Sequence, residues 1–109
     1  YTADLIAARP DVMSLNPGPM TFRGGGVVAT SFEETIRTAE ALRAAGIKPQ
    51  VFVYHPGSLD ILGELIARDA LAPPYFVQLV FGQQGGIAAS PDAFLFTVRQ
   101  LPPGTVYQT

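Results

Sequence analysis

The stretch "PQVFVYHPGSLDILGELIARDALAPPYFVQLVFG", residues 49–82, decides how the chain folds. Its opening "PQVFVY" crowds β-branched and aromatic residues together, as a buried strand does. "SLDILGELIARDAL" then repeats apolar residues at helical spacing, with Ser58 in the N-cap position and Pro73-Pro74 as the stop. "YFVQLVFG" is a second strand. Strand, helix and strand in this order form one βαβ unit, whose strands run parallel.

The rhythm repeats on both sides. Upstream, "TADLIAAR", residues 2–9, reads as the tail of a helix. "DVMSL" follows as a short buried strand without period-two alternation, as expected of a parallel strand covered on both faces. Ser31 opens a helix through the capping box "SFEE", which carries Phe32, Ile36, Ala39 and Leu42 on one face and stops at Gly46. Downstream, Ser90-Pro91 starts a third such helix, and "GTVYQT" begins a fourth strand. The sequence therefore predicts β-α-β-α-β-α-β. Two α/β architectures satisfy it: an open doubly wound sheet, or consecutive β-α units forming about half of a (β/α)8 TIM barrel. A barrel takes roughly 250 residues, so in that case residues 1–109 are a single partial domain, the central portion of the barrel. Tyr1 and the strand-like end at Thr109 both read as cut ends.

Composition narrows the functional classes. Apolar residues make up 48% and charged residues only 15%, a surplus that suits a surface covered by something else. The net charge is −2 with scattered basic residues, so no nucleic-acid or membrane partner is expected. The chain has no cysteine, which removes thiolate metal sites and agrees with a cytoplasmic location. No apolar run reaches the roughly 18 residues of a membrane span.

In either architecture chemistry gathers at the carboxyl ends of the strands. Those ends are Ser14 to Pro19, Tyr54 to Ser58, Gly82 to Gly86, and Tyr107-Gln108. Asn16-Pro17-Gly18-Pro19 is either a rigid loop offering the Gly18 N–H and the Asn16 amide to an anion, or a turn whose prolines fix φ. His55, the one histidine, is either an acid/base or substrate contact or a structural residue, and cannot build a zinc site alone. Tyr54 reads as packed core. "GQQGG" could cradle a phosphate or a pantetheine arm through backbone N–H groups, but it lacks the Lys-Ser/Thr of a P-loop and serves equally as a βα loop. No paired carboxylates and no Ser/His/Asp set are present, so no catalytic residue is assigned.

"RPDVMSLNPGPMTF", "GIKPQVFVYHPGSL", "APPYFVQLVFGQQGG" and "LPPGTVY" together resemble, in order and spacing, the middle of the β-keto acid cleavage enzymes, the family of the 3-keto-5-aminohexanoate cleavage enzyme. The resemblance covers essentially the whole chain and about the central third to two-fifths of a family member. It implies a TIM barrel and an exchange between a 3-oxo acid and acetyl-CoA that yields acetoacetate and a new CoA thioester. It also implies a divalent metal, typically Zn2+, held by a His-x-His pair and a glutamate outside residues 1–109. Ser14, Asn16, Gly18 and His55 are then the expected substrate contacts, and the complete protein is expected to be a homo-oligomer. Pro17 and Pro19 stand where the family usually has hydroxyl residues. Gln50, Phe52, His55 and Ser58 occupy a segment that is usually a glutamate-rich strand followed by Asp-x-Gly-His. Gln78, Gly82, Gly85 and Gly86 agree with the family pattern. Alternatives are a catalytically silent barrel of the same family that binds a small carboxylate, or a small doubly wound binding module.

Overall fold

Strand order separates the two architectures. The computed structural model describes residues 2–109. In chain order the elements are α1 (Thr2–Ala7), β1 (Val12–Leu15), β2 (Met20–Thr21), β3 (Val27–Val28), α2 (Phe32–Ala44), β4 (Lys48–Val53), α3 (Pro56–Ala67), β5 (Tyr75–Leu79), α4 (Pro91–Arg99) and β6 (Thr105–Gln108). The main sheet runs β1-β4-β5-β6, every neighbouring pair parallel. A doubly wound sheet reverses its order at a switch point. Here each new strand joins the same advancing edge, which is the winding of a (β/α)8 barrel, and the doubly wound alternative is set aside.

One face of this sheet carries the core. Pro49, Val51 and Val53 of β4 are buried and alternate with half-buried Lys48, Gln50 and Phe52. Val51 and Val53 pack with Leu15, Val77 and Leu79 of the flanking strands, under Ala39 of α2 and Leu62 and Leu65 of α3. On the other face Ser14, Gln50, Phe76 and Val106 form one row across the strands, and Phe52, Gln78 and Gln108 form the next. That face is open among the described residues, with Val106 at 55% exposure and Val12 at 43%. The core-forming helices lie on one side of the sheet, and the other side is the inner wall of a barrel, whose interior is filled by side chains from its other strands.

The helix ends follow local chemistry. The Ser31 hydroxyl accepts from the Glu34 N–H at 3.1 Å while the Ser31 N–H donates to the Glu34 carboxylate at 2.9 Å, closing the capping box. At the other end Gly46 takes φ +71°, and the N–H groups of Gly46 and Ile47 donate to the carbonyls of Arg43 and Leu42, a Schellman ending. Asp69, at φ +57°, ends α3 in the same way. Ser90 caps α4 through the Ala93 N–H at 3.1 Å. Replacing Ser31 with alanine is expected to cost about 1 kcal/mol, read as a lower urea midpoint at unchanged slope. An unmoved midpoint would mean that the box contributes nothing.

Several sequence expectations need correction. Ser58 does not cap α3: the helix starts at Pro56, with His55 in the N-cap position and no side-chain cap. Proline suits the first helical position because it has no N–H to waste there and its φ is already helical. Ser58 therefore falls within the first turn, fully buried, its hydroxyl without a partner among the described residues. The first helix stops at Ala7 rather than residue 9, where Arg9 turns to φ +53°. Beta strand β5 ends at Leu79, short of Gly82. The antiparallel β2–β3 hairpin was not expected at all; Gly24 and Gly25, at φ +100° and +94°, turn it between Thr21 and Val27.

Candidate functional site

Two cavities border the Asn16–Pro19 loop, one beside the end of β4 and one along the edge strand β1 between α1, α2 and the hairpin. Asn16 lines one, of about 300 Å³, together with Ser14 and the threonines 30, 35 and 38. Pro19 lines the other, of about 260 Å³, together with Thr21, Tyr54, His55 and Gln83. Between them Gly18 takes φ +83° and is buried. A side-chain carbon there would lie 3.2 Å from Ile61 Cδ1, so glycine lets the loop lie flat against α3. Gly18 itself lines neither cavity.

The first cavity holds an unsatisfied acceptor. Asn16 Oδ1 is buried and has no hydrogen-bond partner among the described residues. Its neighbour Thr35 is not available to it, since the Thr35 hydroxyl donates back to the Ser31 carbonyl at 3.0 Å. A buried amide oxygen left unpaired carries a desolvation cost, and such atoms mark places where a ligand group restores a hydrogen bond.

The second cavity is built by close backbone approaches. Its floor is the end of β4, where Tyr54 and His55 stand. Its walls are the β2–β3 hairpin and the loop from Gln83 to Gly86. That loop is pinned by Ile87, whose N–H donates to the Tyr54 carbonyl at 2.8 Å while its own carbonyl accepts from the Gly82 N–H at 2.8 Å. Gly86 passes so close that a side-chain carbon would lie 2.5 Å from the Tyr54 carbonyl oxygen. Gly85 takes φ +79°, and a carbon there would lie 2.9 Å from the Thr21 hydroxyl. Gly57 leaves room for the His55 ring, whose Nδ1 would be 3.0 Å from an added carbon. His55 Nε2 lies 3.4 Å from the Pro19 carbonyl, directed toward the loop that separates the cavities.

Tyr54 is partly buried and stacks on Phe52, ring centroids 5.9 Å apart. Burial pushes its phenol above the usual tyrosine value, so it remains a neutral hydroxyl at physiological pH. This corrects the reading of Tyr54 as core: it belongs to the open face, and its backbone and ring both shape the cavity. Lower on the same face the Gln108 amide donates to the Gln78 amide oxygen at 2.7 Å, and Gln78 donates to the Leu79 carbonyl at 3.1 Å. Tyr107 instead packs toward α4, its ring 6.4 Å from that of Phe94.

The expected site residues thus divide. Ser14 and Asn16 share one cavity, His55 stands in the other, and Gly18 shapes the loop between them. Sequence reasoning missed Thr21 because its hairpin strands are only two residues long. The loop "GQQGG" was noticed, but its glycines serve close packing against β4 and the hairpin. Among the described residues no group of three His, Cys, Asp or Glu could hold a metal ion, and no helix is long and apolar enough to cross a membrane.

Known proteins resemble this chain in sequence and, over part of it, in fold. The family model of the beta-keto acid cleavage enzyme matches residues 2–109. The 3-keto-5-aminohexanoate cleavage enzyme of Acetoanaerobium sticklandii is 24% identical over 97 residues, 89% of this chain and 36% of its own length. The 3-dehydrocarnitine:acetyl-CoA trimethylamine transferase of Rhizobium meliloti is 26% identical over 101 residues, 92% of this chain and 34% of its own. The chain therefore spans about a third of the length of these curated relatives. Among solved structures, apo ObcA superposes with a TM-score of 0.58 at 27% identity, over 68% of this chain and 15% of ObcA. The binary complex of ObcA with oxaloacetate gives the same TM-score and identity, over 68% of this chain and 16% of that one.

Proposed function

Because the chain belongs to the β-keto acid cleavage enzymes, we propose that the protein carrying it exchanges acyl groups between a 3-oxo acid and acetyl-CoA. In that exchange the C2–C3 bond of the oxo acid and the acetyl–sulfur bond of acetyl-CoA break, C2 bonds to the acetyl carbonyl carbon, and C3 bonds to the freed CoA sulfur. Acetoacetate leaves, and the remaining acyl group leaves on the CoA sulfur. No oxidation or reduction occurs. The observation that carries this reading is the family match over residues 2–109, which takes in all four parallel strands.

The residues of this chain serve as wall and substrate contacts. The oxo acid's carboxylate, which can only accept, is met at the end of β1 by the Asn16 side-chain N–H rather than by its unpaired Oδ1, and Ser14 lines the same cavity. Gly18 keeps the loop low enough to leave that end open. His55, at the end of β4, meets the substrate from the opposite side of the loop. None of these side chains is assigned a proton-transfer role.

Zn2+, which the resemblance implies, does not fit the described residues, which contain no three-ligand group. We infer that its ligands belong to sequence outside this chain. Acetyl-CoA is the co-substrate. A cytoplasmic location and a homo-oligomer complete the proposal.

The test uses the complete protein that carries these residues, purified with zinc supplied. Incubated with acetyl-CoA and a panel of 3-oxo acids, it is expected to form acetoacetate and a new CoA thioester in equal amounts. A folded protein that binds the oxo acids yet forms neither product would favour a silent binder and end the acyl-exchange reading.

A further inference from the structure

We propose that the complete protein pairs with a second copy of itself through the outer face of α4, the two copies of this helix lying antiparallel across a two-fold axis. This surface serves the homo-oligomer proposed above and depends on no step of the acyl exchange.

Helical geometry sets the face apart. Phe94, Val98 and Leu101 pack against the core, and Thr97 among them is fully buried. At roughly 100° per residue, Asp92, Leu95, Phe96 and Arg99 form one stripe centred roughly 180° from that buried side. All four are exposed, Leu95 at 47% and Phe96 at 52%. In a barrel the helices form an outer ring, so those flanking α4 meet it at its sides. The stripe points outward from the ring, and the units that complete the barrel fall beside it rather than on it.

The order of residues along the stripe then selects the partner. It reads Asp, Leu, Phe, Arg, with an acid at one end, a base at the other and two large apolar side chains between them. A two-fold axis between residues 95 and 96 sets Asp92 opposite the partner's Arg99 and Leu95 opposite the partner's Phe96, and each contact occurs twice. Parallel pairing would set like charges together. Neither Asp92 nor Arg99 has an ion-pair partner among the described residues. Beside Phe96 a groove of about 270 Å³ runs between α3 and α4, lined by Pro56, Leu59, Asp60 and Gln100. The same axis brings the partner's Leu95 against Phe96 and into this groove, a knob entering a hole. Removing Leu95 and Phe96 from water supplies the affinity, and the charge pairs fix the direction.

The experiment reads the assembly of the complete protein by sedimentation velocity, with circular dichroism to confirm folding. Phe96→Glu is expected to weaken association about a hundredfold, which splits each pair at micromolar concentration. If that variant does not fold, Leu95→Lys on the same stripe takes its place. Asp92→Arg and Arg99→Asp, each alone, set like charges together at both ends of the contact and should weaken association at least about tenfold. Mixed in equal amounts, these two variants recover both opposite-charge pairs, so the mixture is expected to return to the size of the unmodified protein. Misfolding, parallel packing or an interface elsewhere gives no such recovery. A monomeric complete protein, an assembly unmoved by the folded apolar-stripe variant, or charge variants that fail to recover on mixing would each overturn the inference.

Discussion

Gly86→Ala is expected to cost about 3 kcal/mol of stability and to abolish the second cavity, while Gly63→Ala leaves function intact and raises stability by about 0.5–1 kcal/mol. Both exchanges add one methyl group, so their difference is purely a matter of surroundings. At Gly86 the new carbon would lie 2.5 Å from the Tyr54 carbonyl oxygen and 3.3 Å from that of Gln83. Both neighbours are backbone, so neither can move without carrying its element with it. The Tyr54 carbonyl also accepts from the Ile87 N–H at 2.8 Å, and pushing the two segments apart breaks that bond as well. Gly63 sits on the exposed side of α3 with nothing within 4 Å of an added carbon. Alanine there removes the entropy cost of an internal helix glycine and meets no resistance. Urea unfolding of the two variants, with acetoacetate formation as the second readout, checks the pair. A loss below about 1 kcal/mol at Gly86 would mean that the loop swings freely and does not wall a cavity.

The contrast between these glycines was not legible in the sequence, although much else was. Ser31 with Glu34, Gly46, and Ser90 with Pro91 are local devices: each is completed within a few residues, so composition and spacing suffice to read them. The βαβ rhythm was legible for the same reason. Closure was not, because periodicity carries no information about which strand edge receives the next strand. Only the order β1-β4-β5-β6 separates a barrel wall from a doubly wound sheet. The start of α3 was misread because "HPGS" offers Ser58 as a cap and Pro-Gly as a turn, while proline in the first turn fits the helix equally well. Asp69 did at the end of α3 what glycine does at the end of α2, and aspartate tolerates the left-handed conformation without advertising it. The candidate site was half legible. Ser14, Asn16 and His55 stand where strand ends are expected. Their separation into two cavities depends on the hairpin and on the approach of "GQQGG" to Tyr54, both long-range contacts.

Asn16→Leu is expected to move stability and function in opposite directions. The Asn16 Oδ1 atom is buried without a partner among the described residues, which costs solvation. Leucine is close in shape, has no polar atom to satisfy, and meets no backbone objection, because Asn16 does not adopt a positive φ. Its aliphatic tip would join Leu5, Met13 and Val28 in the same cavity. Stability should therefore rise by about 1 kcal/mol, visible as a higher urea midpoint. If the amide is what holds the oxo acid's carboxylate, the same exchange removes a hydrogen bond to a charged group, worth about 1.5–3 kcal/mol. That corresponds to a loss of roughly 10- to 100-fold in kcat/KM, carried mainly by KM if the contact is made equally in the ground and transition states. Asn16→Ala, which also loses the amide but leaves empty volume, should lose the same activity without the gain in stability. The sign pattern is what matters. A merely structural asparagine would lose stability in both variants and keep its KM. A rise in stability with unchanged kcat/KM would show the unpaired oxygen to be a packing defect, and the carboxylate contact would then have to lie elsewhere on the barrel wall.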